Sequence, residues 1–170
     1  MNAASSMKFL KTIRFDTSDD HVFELAASPE EWAVSGAFVF AGCSEDEVRK
    51  GKLRQAFANG FLSVESFGHS TFTTVAECDE DELDGIERKL AQYFVDHYGA
   101  PGLEAALPAA REEAQFVQDL CAESLINTVF TVRRRFDDAG EIREEFRTIK
   151  SPDARPVHTR IWNVVEEDDE

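Results

Sequence analysis

The sequence predicts an α+β protein built on a mainly antiparallel sheet of about six to seven strands, with three helices packed on one face. Three observations predict this class. Segments with the period-2 alternation of strands gather at both ends of the chain, and helical periodicity is confined to its middle. No βαβ unit with a glycine-rich first turn occurs. The predicted order of elements is βββ-α-β-αα-βββ.

Three strands are predicted at the N-terminal end. Residues 8–15 alternate as a strand, and residues 21–26 give a second strand that pairs with the first as a hairpin. Residues 32–42 carry no charge and are rich in strand-forming side chains, which is typical of a strand buried on both faces near the sheet centre. Gly36 within this segment indicates a bulge or a close backbone approach.

A helix, a strand and a second helix follow. Ser44 and Glu47 have the spacing of a capping box, which begins a helix that runs to about residue 58 and stops at Asn59-Gly60. Residues 67–78 have the composition of a strand. Residues 79–98 carry apolar side chains at helical spacing, and the acids at their start complement the positive end of a helix dipole.

A third helix and a C-terminal hairpin complete the prediction. Pro108 fits the first turn of the third helix, where its missing N–H group costs nothing. In the hairpin, Asp138-Ala139-Gly140 forms the loop with Gly140 in the left-handed conformation. A last strand is predicted over residues 157–165. The hairpin register places these residues opposite each other: Phe136 and Ile142, Arg134 and Glu144, Arg133 and Glu145, Val132 and Phe146, and Val129 and Ile149.

The chain of 170 residues is predicted to be one domain over residues 7–165, with a flexible extension at 1–6 and a disordered acidic tail at 166–170. The formal net charge is −16. Such acidity disfavours binding to nucleic acid and to anionic membranes, since both require cationic side chains. No apolar run is long enough for a membrane helix, no secretory signal occurs, and the three cysteines form no C-x-x-C pair. These features predict a cytoplasmic protein.

The stretch NGFLSVESFGHSTF, residues 59–72, contains the residue types of a catalytic triad. In a strand, however, His69 and Ser70 point to opposite faces, and no G-x-S-x-G elbow occurs, so a turn is favoured over a catalytic site. No catalytic residue is predicted. The four histidines are scattered singly, so no cofactor and no metal site are predicted, although a site assembled across the fold from His97 and Cys121 stays open.

Four residues are candidates for ligand binding: His69, Arg134, Trp32 and Arg133. The triplet Arg133-Arg134-Arg135 could hold a phosphate or a carboxylate. The predicted register favours a different interpretation, in which Glu144 and Glu145 already neutralise these charges.

The segments KFLKTIRFD, EWAVSGAFVFA and KLRQAFANGFLSVESFGHSTF resemble a family of small uncharacterised proteobacterial proteins known as a domain of unknown function. The resemblance covers residues 7–165. Because the family has no assigned activity, the resemblance implies no catalytic or binding residue.

The favoured hypothesis is therefore a non-catalytic interaction or accessory module whose partner is another protein or a second copy of the chain. The alternative is a protein or enzyme that binds a small molecule, an anion or a cofactor, in a pocket between the central strand and the helices.

Overall fold

The computed structural model describes residues 7–149 and, as backbone only, the strands at Pro156–Ile161 and Glu166–Asp168. The predicted extension at residues 1–6 lies outside the described residues. The elements of the first half are β1 (Met7–Ile13), α1 (Ser18–Val22), β2 (Trp32–Val34), a 3₁₀ turn (Ala37–Phe40), α2 (Glu45–Val48), α3 (Gly51–Asn59), β3 (Phe61–Ser63), β4 (His69–Ser70) and β5 (Phe72–Cys78).

The second half contains two long helices and the remaining strands of the sheet. No helix of the described residues combines the length and the apolar character needed to cross a bilayer. The elements are α4 (Glu80–Tyr98), α5 (Leu103–Cys121), β6 (Val129–Phe136), β7 (Ile142–Thr148), β8 (Pro156–Ile161) and β9 (Glu166–Asp168).

One antiparallel sheet runs through the molecule in the order β4-β3-β2-β1-β5-β6-β7-β8-β9, which confirms the predicted α+β class. β1 lies inside the sheet between β2 and β5. Its consecutive residues Phe9 and Leu10 are both fully buried, so apolar side chains cover both faces of the sheet there. α4 packs on α5, α5 packs on β1, and α3 packs on β6.

The hairpin and the long helices follow the prediction closely. The register of β6 and β7 is confirmed from Phe136 opposite Ile142 to Val132 opposite Phe146, and Gly140 has a φ of 83°. The capping box of Ser44 and Glu47 is also confirmed. α5 begins at Leu103, so the placement of Pro108 in its first turn was wrong; the proline lies one turn further in.

The predicted strand at residues 21–26 was wrong, and so was its hairpin with β1. Ser18–Val22 form a short helix, and Asp16 Oδ1 accepts a hydrogen bond from the Ser18 N–H at 2.9 Å just before it. β1 instead pairs with β2 and with β5. An aspartate side chain that bonds a backbone N–H two residues later favours a turn over a strand.

The long buried strand predicted at residues 32–42 was also wrong beyond Val34. Gly36 has a φ of 86°, which turns the chain into the 3₁₀ turn. A Cβ at Gly36 would lie 2.7 Å from Leu62 Cβ, so the close approach predicted at this glycine is confirmed. The helix predicted over residues 44–58 is divided near Gly51, where φ is 56°.

The strands between residues 61 and 78 also differ from the prediction. β3 was not predicted, and the strand predicted at residues 67–78 is divided into β4 and β5. Glu166–Asp168, within the predicted disordered tail, pair with β8 as the edge strand β9, while residues 169–170 lie outside the described residues. Without β9, β8 would be the edge strand, and its outer backbone N–H and C=O groups would lack partners. β9 supplies hydrogen-bond partners for these groups.

Candidate functional site

Arg134, one of the four ligand candidates, is a buried link between elements. Its Nε donates to Glu144 Oε2 at 2.8 Å, and both side chains are fully buried. Its Nη1 donates to the carbonyl oxygens of Phe57 at 3.1 Å and Gly60 at 2.8 Å, at the C-terminus of α3. Its Nη2 donates to the carbonyl oxygen of Ser35. The guanidinium therefore caps the C-terminus of α3, whose last carbonyl groups have no donors within the helix. Each nitrogen of the guanidinium donates a hydrogen bond to another part of the protein.

His69 lies beside this link. Its ring packs against Phe23 and Phe40 at centroid distances of 5.7 and 6.2 Å, and the Arg134 guanidinium lies 5.7 Å from the Phe40 ring. Among the described residues, its buried Nε2 has no hydrogen-bond partner. Burial, together with the charge of Arg134, lowers the pKa of His69 to about 4. The imidazole is therefore neutral at pH 7, because both effects disfavour its charged form.

Trp32 belongs to a different part of the molecule. Its ring contacts Phe9 edge-on at 6.0 Å, and the Lys11 ammonium lies 4.5 Å from the ring centroid. Its backbone N–H donates to Glu65 Oε2 at 2.9 Å. Neither of its ring contacts involves His69, Arg133 or Arg134, so the structure does not bring all four candidates together.

The hydroxyl groups of the stretch at residues 59–72 bind a carboxylate and backbone. Ser63 Oγ and Ser66 Oγ both donate to Glu31 Oε1, at 2.8 and 2.7 Å. Ser70 Oγ donates to the carbonyl oxygen of Phe72 at 2.8 Å. The bonds of Ser63 and Ser66 tie the turn to the residue before β2, and none of the three hydroxyl bonds involves His69.

Arg133 and Arg135 have a different environment from Arg134, because side chains alternate between the two faces of a strand. Both are exposed, and no carboxylate of the described residues pairs with either of them. Arg133 lies opposite Glu145, as predicted, but Glu145 Oε1 accepts from Arg147 Nη2 at 3.1 Å. The charge of Arg133 is therefore not neutralised by the predicted ion pair.

Arg135 lies directly opposite Arg143 on β7, so that two cations share one face of the hairpin. Arg143 Nε contacts Asp137 Oδ2 at 3.2 Å, while Arg135 has no such partner in the described part of the chain. The sequence prediction includes Arg135 only as part of the arginine triplet, does not name it among the four ligand candidates, and does not include Arg143. The signal was present, since a register that pairs Arg134 with Glu144 also places Arg135 opposite Arg143.

Three adjoining clefts meet at Arg135, and we call them the arginine clefts. The first has a volume of about 510 Å³, lies between the end of α3 and the hairpin, and is lined by Ala58, Asn59, Arg133, Arg134, Arg135, Arg143, Glu144 and Glu145. The second, of about 420 Å³, extends along the hairpin loop past Asp137. The third, of about 200 Å³, lies between Arg135 and the α2–α3 segment, and Arg49 and Arg54 also line it.

The described residues contain no group of three or more histidine, cysteine, aspartate or glutamate side chains placed to hold a metal ion. Cys78 and Cys121 are buried, and burial raises the pKa of each thiol to about 12, which keeps both protonated. Cys121 is thus a core residue. The guanidinium groups of the arginine clefts are hydrogen-bond donors without acceptor capacity, so the ligand that suits them is an oxyanion.

Residues 7–163 match the model of a protein family described as a family of unknown function (DUF6505). No curated protein and no solved structure matches the chain. The resemblance to a domain of unknown function is therefore confirmed over these residues, and a proteobacterial origin stays a prediction.

Proposed function

The chain belongs to this family of unknown function, DUF6505, and we propose that it is a non-catalytic interaction module whose ligand presents oxyanion groups to the arginine clefts. The observation that carries this proposal is the position of Arg135. It lies opposite Arg143, has no carboxylate partner among the described residues, and lines all three clefts.

Two like charges directly opposite each other on neighbouring strands destabilise a sheet. The Arg135 and Arg143 pair should therefore cost folding free energy in the unliganded protein, to the extent that Asp137 does not neutralise Arg143. An oxyanion between the two guanidinium groups would turn this repulsion into two attractive, charge-assisted contacts. Electrostatic repulsion that a bound ligand would relieve is typical of a binding site.

The chemistry of the clefts supports binding without catalysis. Arginine stays protonated at physiological pH, so Arg133, Arg135 and Arg143 can orient and neutralise an anion but cannot act as general bases. Glu144, the buried carboxylate of the first cleft, already accepts a hydrogen bond from Arg134. The proposal accordingly assigns no reaction to the site.

A local cationic cluster is compatible with the net charge of −16. At physiological ionic strength, charges separated by more than about 8 Å are largely screened from each other. An anion in the clefts therefore interacts mainly with the nearby arginines. This also predicts that affinity falls as salt concentration rises, because the attraction is electrostatic and close to the surface.

The test is a nuclear magnetic resonance titration of the full chain with inorganic pyrophosphate. We expect shifts of the backbone amide signals in β6, β7 and the end of α3. Arg135→Gln removes one guanidinium while keeping most of the side-chain stem, and it should weaken pyrophosphate binding about tenfold, since one charge-assisted hydrogen-bonding group is lost.

Arg88→Gln is the matched control. Arg88 is an exposed arginine on α4, paired with Asp84 at 2.8 Å, and its loss should leave the titration unchanged. The proposal is wrong if pyrophosphate leaves the β6–β7 signals in place, or if Arg135→Gln and Arg88→Gln bind it as well as the wild type.

A further inference from the structure

One face of the sheet carries the arginines and continues beyond them; we call it the open face. Residues opposite each other in an antiparallel sheet share a face, and so do residues two apart along a strand. The open face contains Val129, Thr131, Arg133 and Arg135 of β6, Arg143, Glu145 and Arg147 of β7, Ile149 just after β7, Phe72 of β5 and Ile13 of β1.

The two faces of the hairpin differ sharply in burial. On the other face Val132, Arg134, Glu144 and Phe146 are buried under helices. Every residue of the open face just named is exposed or half-buried. The described helices therefore leave this side of β6 and β7 uncovered.

Apolar side chains lie on the open face at Val129 and Ile149, at the end of β6 away from the clefts, and across β5 and β1 at the level of Thr131. The backbone N–H of Ile149 donates to the carbonyl oxygen of Val129 at 3.0 Å, which aligns the two residues, and Ile149 is 48% exposed. Phe72 lies opposite Ile13, and the ring of Phe15, which is 64% exposed, contacts the Phe72 ring at 4.8 Å. Apolar side chains grouped at the surface mark interaction sites more often than isolated ones do.

The apolar and cationic ends lie along the same strand. Val129 and Arg135 are six residues apart on β6, a distance of about 20 Å in a strand. A helix of about 13 residues or an extended segment of about six would span it. A free phosphate compound would occupy only the arginine end and would leave the apolar end in water.

We infer that the oxyanions bound at the arginine clefts are carboxylates of a short acidic, amphipathic segment of another protein, which lies along the open face with its apolar side chains on Val129, Phe72 and Ile149. This inference rests on the proposed function. We choose an acidic segment because Arg133 and Arg135 have no carboxylate partner among the described residues, and an amphipathic one because exposed apolar residues adjoin them. A short segment also fits a chain of net charge −16 better than a long polyanion, which would extend past the arginines.

The test measures fluorescence anisotropy of a labelled peptide of about 14 residues, with glutamates in one half and leucines in the other. A companion peptide has serines in place of the leucines. We expect the full chain to bind the leucine peptide about tenfold more tightly than the serine peptide. Ile149→Ser should weaken binding of the leucine peptide about tenfold, as expected for one apolar side chain that is no longer buried.

Leu103→Ser is the control, because Leu103 is an exposed leucine at the start of α5, outside the sheet. Pyrophosphate binding should be the same in Ile149→Ser as in the wild type. If both peptides bind equally and Ile149→Ser has no effect, this inference is wrong while oxyanion binding stands. If Arg135→Gln changes neither peptide nor pyrophosphate binding, the proposed function fails as well.

A second copy of the chain is the competing occupant. Sedimentation equilibrium of the full chain without peptide separates the two cases. A monomer is expected at the concentrations of the binding assay. A dimer that Ile149→Ser and Arg135→Gln both dissociate would overturn the inference in favour of self-association.

Discussion

Arg134 and Glu144 face each other on neighbouring strands and join at 2.8 Å with both side chains fully buried. The same guanidinium donates to carbonyl groups at the end of α3 and to that of Ser35. The pair therefore connects the C-terminal hairpin to the N-terminal half of the chain. The exposed neighbours Arg133 and Arg135 extend to the other face, where no carboxylate of the described residues pairs with them.

Removing the buried guanidinium should destabilise the protein strongly. Arg134→Ala leaves the Glu144 carboxylate buried without this cation and leaves the α3 carbonyl groups without their donor. Breaking one side of a buried ion pair costs about 3–5 kcal/mol, and we expect a loss of that size in the free energy of unfolding. Urea denaturation followed by circular dichroism measures it.

Arg88→Ala provides the comparison for this measurement. Its ion pair with Asp84 is exposed on α4, and such pairs contribute about 0.5 kcal/mol or less. Equal effects of Arg134→Ala and Arg88→Ala would show that Arg134 does not connect the two halves.

Acid should destabilise the fold through His69. Its pKa is about 4 in the folded chain against 6.5 for the free side chain, so the unfolded state takes up this proton first as the pH falls. Stability from the neutral imidazole is thus fully present above pH 6.5 and is lost between about pH 6.5 and pH 4. The total is about 3 kcal/mol, because each unit of pKa corresponds to about 1.4 kcal/mol.

The His69 contribution can be separated from that of the carboxyl groups. His69→Leu removes the titrating group, so the difference in unfolding free energy between wild type and variant should change by about 3 kcal/mol from pH 7 to pH 4. His21→Gln, at an exposed histidine, should follow the wild type at each pH. A His69 pKa above 6 in a proton resonance titration would contradict the prediction.

The sequence predicts the hairpin well because its signals are local and agree with one another. A glycine loop, matched apolar residues and opposite charges all select the same register, and a slip by one residue would lose them together. The same register places Arg135 opposite Arg143. The cationic end of the candidate site could therefore be found from the sequence.

The N-terminal half is harder to predict because its course depends on distant contacts. Residues 35–42 have strand-forming composition, yet Gly36 turns away from the sheet against Leu62, which is far along the chain. The role of Arg134 is hidden for the same reason. Its donors meet carbonyl groups of α3 and of Ser35, and no local pattern places these segments beside β6.

Gly36 and Gly85 should respond to alanine in opposite directions. At Gly36 a Cβ would lie 2.7 Å from Leu62 Cβ at a φ of 86°, so Gly36→Ala should destabilise by about 2–4 kcal/mol through strain and overlap. Gly85 is inside α4 with open space around it, so Gly85→Ala should stabilise by about 0.5–1 kcal/mol. Thermal unfolding of both variants measures the difference, and a neutral Gly36→Ala would contradict the close approach.

The cationic pair on the open face should make binding and stability oppose each other. Arg135→Gln removes the repulsion with Arg143, so the unliganded variant should be more stable than the wild type by about 0.2–1 kcal/mol at low salt. The gain in stability should shrink at high salt, since screening already weakens the repulsion there.

Arg133→Gln is the matched variant: Arg133 lies opposite Glu145, so the loss of its charge should give no gain in stability. Urea denaturation at two salt concentrations measures both variants. An Arg135→Gln protein that is less stable than the wild type at low salt would show that the fold needs this arginine, and would contradict its assignment to a ligand.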